Sequence, residues 1–106
     1  MKRETCAQWE QALSHFSNAE KLLRDKKFEE ASREAVPAFV LAISAVEILS
    51  GELGIDELSE IAKNALFEGF ERAGRNYPPK DTVEWVRRTL KRLSDGLPPD
   101  TFRPLR

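Results

Sequence analysis

Side chains able to carry out covalent or acid–base chemistry are scarce in this 106-residue sequence, which contains one histidine and one cysteine. Cys6 and His15 would have to touch to act as a nucleophile and its general base. They are nine residues apart, which is roughly 13 Å along one helix, so they cannot meet within one chain. One histidine and one cysteine also fall short of the three or four ligands of a typical zinc site. We therefore expect no catalytic residue, no metal site and no cofactor.

The acidic residue in the most unusual position is Glu47, which lies in 38–49, a run of ten apolar and two polar residues. A buried carboxylate requires a cation or hydrogen-bond donors. We therefore expect either an ion pair with an arginine of a neighbouring helix or a narrow exposed polar strip around Glu47. Contact with a ligand inside the bundle is the alternative. Pairs such as Glu29 and Glu30 are expected on solvated helix faces.

Basic residues are concentrated toward the C-terminus. Residues 1–71 contain 8 Lys and Arg against 14 Asp and Glu, a balance of −6, whereas residues 72–106 contain 9 against 4, a balance of +5. Positioned cations can neutralise phosphates, and an aromatic residue among them can stack on a base. The sequence pI of about 5.9 nevertheless favours a solvated or protein-facing basic surface over nucleic-acid binding. The candidate phosphate or nucleic-acid contacts are Arg72, Arg75, Lys80, Arg88, Lys91 and Arg92.

Two aromatic residues are predicted to point outward. On a helical wheel, Phe67 lies about 150° from the inner face of the third helix, and Trp85 about 110° from the apolar stripe of the fourth. Exposed aromatic residues close to arginines are typical of protein interfaces. The candidates for a subunit interface are therefore Phe67, Trp85, Arg88 and Arg92.

The spacing of apolar residues predicts an all-α fold, a single four-helix bundle at residues 1–95 followed by an extended, proline-rich tail at 96–106. The run at 38–49 is apolar on most sides of a helix, so other helices must surround it. We expect the strongest burial at Phe39, Ala42, Val46 and Leu49, with Leu41 and Ile48 on the opposite side largely covered. The inner stripes of the other helices include Leu13 in the first, Leu66 and Ala73 in the third, and Val83, Val86, Leu90 and Leu93 in the fourth.

Capping residues and helix breakers predict where the helices begin and end. Thr5 would start the first helix as part of a capping box, Asp56 would cap the third, and Asp81 would open the fourth with a second capping box. Pro37 should kink the second helix or divide it.

The chain is expected to be cytoplasmic, with no membrane partner. No segment reaches the roughly 18 uninterrupted apolar residues of a membrane span. The first four residues lead into charged positions without an apolar secretion core. A lone cysteine offers no internal disulfide, as is usual in a reducing compartment.

One segment of the first half has a distinctive order of residues. Phe16–Ala31 reads FSNAEKLLRDKKFEEA, in which a helix ends in a short turn and an aromatic residue begins the next, and spaced alanines follow. This order, with Arg75-Asn76 near the last long helix, resembles the HEPN family of helical bundles over about residues 12–95. The turn KFEEA is also similar to that of tetratricopeptide and microtubule-interacting modules.

The resemblance implies a member of the family without ribonuclease activity. Catalytic HEPN ribonucleases carry an arginine followed four to six residues later by a histidine. No histidine follows Arg72 or Arg75 at that distance, so these arginines are left as phosphate contacts only.

The expected function is a non-catalytic helical interaction or regulatory module, a degenerate HEPN-like domain that forms a homodimer and binds a protein partner. The first alternative is an RNA- or nucleotide-binding protein that uses the basic C-terminal helix. The second is a helix-pair adaptor, similar to tetratricopeptide modules, that holds a partner's peptide in a groove.

Overall fold

Four α-helices joined by short turns make up the described part of the chain. The computed structural model describes residues 2–97, in which α1 (Lys2–Arg24), α2 (Phe28–Leu53), α3 (Asp56–Ala73) and α4 (Pro79–Gly96) follow one another without any strand. The predicted all-α four-helix bundle is confirmed. Apart from Gly96 and Leu97, the predicted tail at 96–106 lies outside the described residues.

Helix α2 is the element on which the others pack. Its largest interface is with α1, followed by those with α4 and α3, whereas α1 and α4 barely touch. The bundle measures 39 × 30 × 19 Å, and its thinnest dimension leaves room for only two layers of helices about 10 Å apart. Two layers cannot cover a helix on every side, so α2 keeps one face toward solvent.

The core prediction for α2 is confirmed on its covered side and wrong on the other. Phe39, Val46 and Leu49 are buried, and so is Ala42. Ile48, expected to be largely covered, is well exposed, and Leu41 is only partly buried. In α1, Leu13 was assigned to the inner stripe but is also exposed. Ile48 and Leu13 lie beyond the arc that the neighbouring helices cover, whereas Leu41 packs against the edge of the core.

Three predicted helix boundaries are displaced. Thr5 is buried inside α1, which already includes Lys2, so the first capping box is wrong. Asp56 is the first residue of α3 rather than its cap, and Asp81 lies inside α4, which begins at Pro79. Pro37 lies within α2 without dividing it. Pro79 occupies the first turn of α4, where the missing N–H of proline has no helical partner to lose.

The turn between α1 and α2 places a lysine in a left-handed conformation. Lys26 has φ 61°, and its N–H donates to the carbonyl of Leu23 while that of Lys27 donates to the carbonyl of Leu22. This pair of bonds is a Schellman motif, in which glycine is the usual residue. The corresponding turn after α2 does use glycine, since Gly54 has φ 68°.

Helix α2 is also long and apolar enough to cross a membrane, by length and composition alone. This criterion averages hydropathy over a window of 18 residues. It differs from a count of uninterrupted apolar residues, by which α2 falls short of the roughly 18 that a membrane span needs. Of the qualifying 18-residue window, 44% is buried inside the bundle. Core helices of soluble proteins and signal sequences meet the same criterion, so it identifies no membrane segment.

Truncating the core of α2 should be far more destabilising than truncating its end. Leu49 is 0% exposed and Leu53 is 46% exposed in the same helix. We expect Leu49→Ala to lower the free energy of unfolding by about 2–5 kcal/mol because it leaves a cavity. Leu53→Ala should lower it by less than about 1 kcal/mol. Urea denaturation of both variants checks this, and equal losses would contradict the assignment of the core.

Relieving the left-handed lysine should stabilise the protein. A non-glycine residue in this conformation costs roughly 1 kcal/mol, so Lys26→Gly should raise the free energy of unfolding by about 0.5–1 kcal/mol. The matched control is Lys27→Gly, since Lys27 has φ −92° and gains nothing from glycine. Thermal unfolding should show a higher Tm for the first variant only. A fall in Tm with Lys26→Gly would contradict the turn geometry.

Candidate functional site

Half of the six basic residues singled out by the sequence are engaged with carboxylates of the same chain. Arg92 lies 3.4 Å from Glu68 of α3, and Lys91 lies 3.3 Å from Asp95 within α4. Arg87, which belongs to the same stretch, reaches Glu20 of α1 at 3.1 Å. Among the described residues, the exposed candidates outside any ion pair are Arg75, Lys80 and Arg88. The basic stretch therefore serves largely to attach α4 to α1 and α3.

Arg72 has the most enclosed position of these cations. Its guanidinium lies 2.7 Å from a carboxylate oxygen of Asp81, 3.9 Å from the centre of the Tyr77 ring and 5.1 Å from that of Trp85. Its Nε is buried and makes no hydrogen bond. Arg72 thus joins the end of α3 to the start of α4 through one ion pair and two ring contacts.

Trp85 is buried, so the predicted outward orientation is wrong. It is 8% exposed, and its ring lies 4.8 Å from that of Phe39. Gly69 of α3 supplies the space, because a Cβ there would lie 3.0 Å from Phe39 and 3.5 Å from Trp85. Trp85 and Thr89, four residues apart and both buried, form a second inner stripe of α4. The sequence predicted a single inward stripe on α4 and omitted this second stripe, whose Trp85 lies beside Gly69 of α3.

The two residues considered for nucleophilic chemistry occupy separate settings. Cys6 is buried in α1, whereas His15 is partly exposed and its Nδ1 lies 2.7 Å from a carboxylate oxygen of Glu34 in α2. The histidine therefore links α1 to α2. Within residues 2–97 there is no group of three or more His, Cys, Asp or Glu side chains that could hold a metal ion.

The most distinctive surface feature is an apolar groove of about 440 Å³ between α2 and α3, which we call the α2–α3 groove. Its walls include Val36 and Val40 of α2 and Phe70 of α3, all exposed, and its floor includes Phe39 and Trp85. Phe70 is 66% exposed, and Phe67, one turn earlier, is 65% exposed. Exposed apolar residues that adjoin one another are typical of binding surfaces.

The sequence prediction identified only part of this surface. The outward position of Phe67 is confirmed, but Leu66 and Ala73 were assigned to the inner face of α3 and are exposed along the groove. Phe70 was not considered. The missed signal is that α3 carries apolar residues on more than one side, at Leu66, Phe67 and Phe70, so no single buried stripe can include them all.

Two arrangements were expected for Glu47, an ion pair with an arginine or an exposed polar strip, and the second is present in part, since Ser44 and Glu47 are both partly exposed. The Glu47 side chain is partly buried, and its Oε1 is enclosed and makes no hydrogen bond. It forms no ion pair with an arginine among the described residues. An enclosed acceptor without a donor is unfavourable by about 1–3 kcal/mol. A donor from outside the chain cannot reach that oxygen, so only the remainder of the partly exposed side chain is open to a partner.

The sequence matches no known protein family, and neither a curated protein nor a solved structure was found to be similar to it.

Arg72 should matter to stability more than an exposed cation of the same surface. The Arg72 side chain is 17% exposed and that of Arg92 is 47% exposed, although their carboxylate partners, Asp81 and Glu68, are similarly accessible. We expect Arg72→Ala to lower the free energy of unfolding by about 1–3 kcal/mol and Arg92→Ala by less than about 0.5 kcal/mol. Urea denaturation measures both. Equal effects would show that the enclosure of Arg72 contributes nothing.

Proposed function

We propose that this protein is a non-catalytic helical interaction module that self-associates through the exposed apolar face of α2 and α3. The observation that carries the proposal is the α2–α3 groove, whose walls leave Val40 and Phe70 more than half exposed. Burying such side chains between two copies removes apolar area from water at roughly 25 cal/mol per Å². A symmetric pair is the commonest way for a soluble chain to bury such a face.

The shape of the bundle supports self-association. The described chain is two helix layers thick, and α2 has an uncovered apolar side. A second copy placed against that side gives α2 the missing layer without any other protein. Phe67 remains an interface candidate on α3, whereas Trp85 contributes only from the floor of the groove.

Nucleic-acid binding has less support. Arg72, Arg92 and Lys91 are paired with carboxylates, and a phosphate would have to displace them. Arg75, Lys80 and Arg88 remain available, which is a small basic surface on a slightly acidic chain. The adaptor alternative uses the same groove with a partner's helix in place of a second copy.

The HEPN-like relationship and the cytoplasmic location remain predictions. The proposed self-association does not depend on either prediction.

Charged substitutions in the groove should convert a dimer into a monomer. Sedimentation equilibrium over about 1–100 µM should give a mass approaching twice the 12.1 kDa of the chain. We expect Val40→Glu and Phe70→Glu each to weaken association at least about tenfold, because each would bury an unpaired charge. Both positions are exposed in the single chain, so the fold should be retained.

Leu13→Glu is the matched control. Leu13 is a comparably exposed apolar residue on the side of α1 that carries Glu20, the partner of Arg87 in α4. This variant should dimerise like the parent chain. A parent chain that is monomeric throughout the concentration range, or one that binds lipid vesicles as a monomer through Phe70, would overturn the proposal.

A further inference from the structure

Arg33, Val40 and Glu47 lie on one line along the uncovered face of α2. They follow one another at intervals of seven residues, so they fall within about 40° of each other on the helix. Arg33 and Val40 are exposed and Glu47 is partly buried. The line has a cation at one end, an apolar side chain in the middle and an anion at the other end. Two such lines placed side by side in opposite directions bring each cation next to an anion.

We propose that two copies of this chain pair with their α2 helices antiparallel and crossing at Val40, so that Arg33 of each copy binds Glu47 of the other. This inference rests on the proposed function and adds to it the orientation, the register and two ion pairs. The occupant of the α2 face is therefore a second copy of this chain.

The order of charges selects the antiparallel arrangement. About Val40, an antiparallel pair brings opposite charges together at both ends of the contact. A parallel pair in the same register would place Arg33 against Arg33 and Glu47 against Glu47. Like charges held together are unfavourable, and opposite charges fix the register of an interface.

Both charged groups are available within the single chain. Arg33 has only a distant contact, 3.9 Å, with Glu29 one turn away, and both side chains are almost fully exposed. Such exposed pairs within a helix contribute little. Glu47 is partly exposed and belongs to no ion pair among the described residues. A guanidinium from the second copy supplies charge-assisted donors to that carboxylate.

The spacing fits the dimensions of packed helices. Arg33 and Glu47 each lie about 10 Å along the helix from Val40, and packed helices are about 8–10 Å apart at the crossing. Val36 and Ser44, four residues before and after Val40, would face each other across the pair. Val36 is exposed and Ser44 is small, so one forms a ridge and the other leaves a depression.

A double-mutant cycle tests the ion pair. Arg33→Gln, Glu47→Gln and the double variant keep the side chains close to their original size, and far-UV circular dichroism verifies that each is folded. We expect each single change to weaken the dimer by about 5- to 10-fold and the double change to weaken it no further, as for residues in contact. Arg24→Gln, which removes an exposed arginine outside this line, should leave the dimer unchanged.

Cross-linking tests the register without altering the charges. In a Cys6→Ala chain, Val40→Cys places one thiol of each copy at the crossing point. Added diamide accepts the two electrons and two protons of the thiols as the disulfide forms. We expect a covalent dimer on a non-reducing gel, because a disulfide joins residues with Cα atoms about 5–6 Å apart. The Cys6→Ala chain with Leu13→Cys should remain monomeric on the same gel.

The outcomes separate this inference from the function on which it rests. A parent chain that stays monomeric removes the proposed self-association itself. A dimer in which the two glutamine changes are additive, or in which the Val40→Cys chain does not cross-link, overturns the antiparallel register and leaves self-association standing. A double variant whose dimer is no weaker than that of either single variant, together with cross-linking at Val40, supports the inference.

Discussion

The rest of the structure depends on the close contact between α1 and the alanine-rich side of α2. Ala31, Ala35 and Ala38 are fully buried, as are Ala42 and Ala45, and α1 contributes Ala12 and Ala19. Small side chains let two helix backbones approach to the short end of the usual 8–10 Å range. Each methyl group adds little apolar area, so the stability of this hairpin arises from many close van der Waals contacts. A larger residue at any of these alanines would separate the two helices.

The contact between α1 and α2 also determines which side of α2 stays exposed. Because α1 occupies the alanine side of α2, α4 and α3 must pack on the adjacent side, where Phe39 and Val46 lie. The third side of α2 is still apolar at Val36 and Val40, and no described helix covers it. The binding surface is thus a consequence of a helix with more apolar sides than its three neighbours can cover in two layers.

The sequence predicted the parts of the fold that periodicity controls. The four helices and the inward residues Val83, Val86, Leu90 and Leu93 of α4 follow from a 3.6-residue repeat and are confirmed. Periodicity does not say how many sides of a helix are covered. Trp85 is therefore buried where exposure was expected, since α3 packs on that side and Gly69 makes room for the ring. Phe70 was missed because α3 carries apolar residues on more sides than the other helices cover, which leaves Phe70 exposed.

Partners among the charges were equally hard to predict. Arg87 and Glu20 are 67 residues apart, and only the arrangement of the helices brings them within 3.1 Å. The sequence showed an acidic first part and a basic last part without showing that the two meet. The structure brings several of these opposite charges together across helix contacts, so much of the asymmetry is balanced within the bundle.

That balance has a consequence for the order of folding. Domains are synthesised from the N-terminus, so the first three helices emerge before α4 can cover its side of α2. During this interval the apolar surface of α2 is exposed on a segment, residues 1–71, with a charge of −6. Mutual repulsion between such segments opposes aggregation. Residues 72–106, with a charge of +5, offset most of this charge once they are synthesised, and α4 then covers its side of α2.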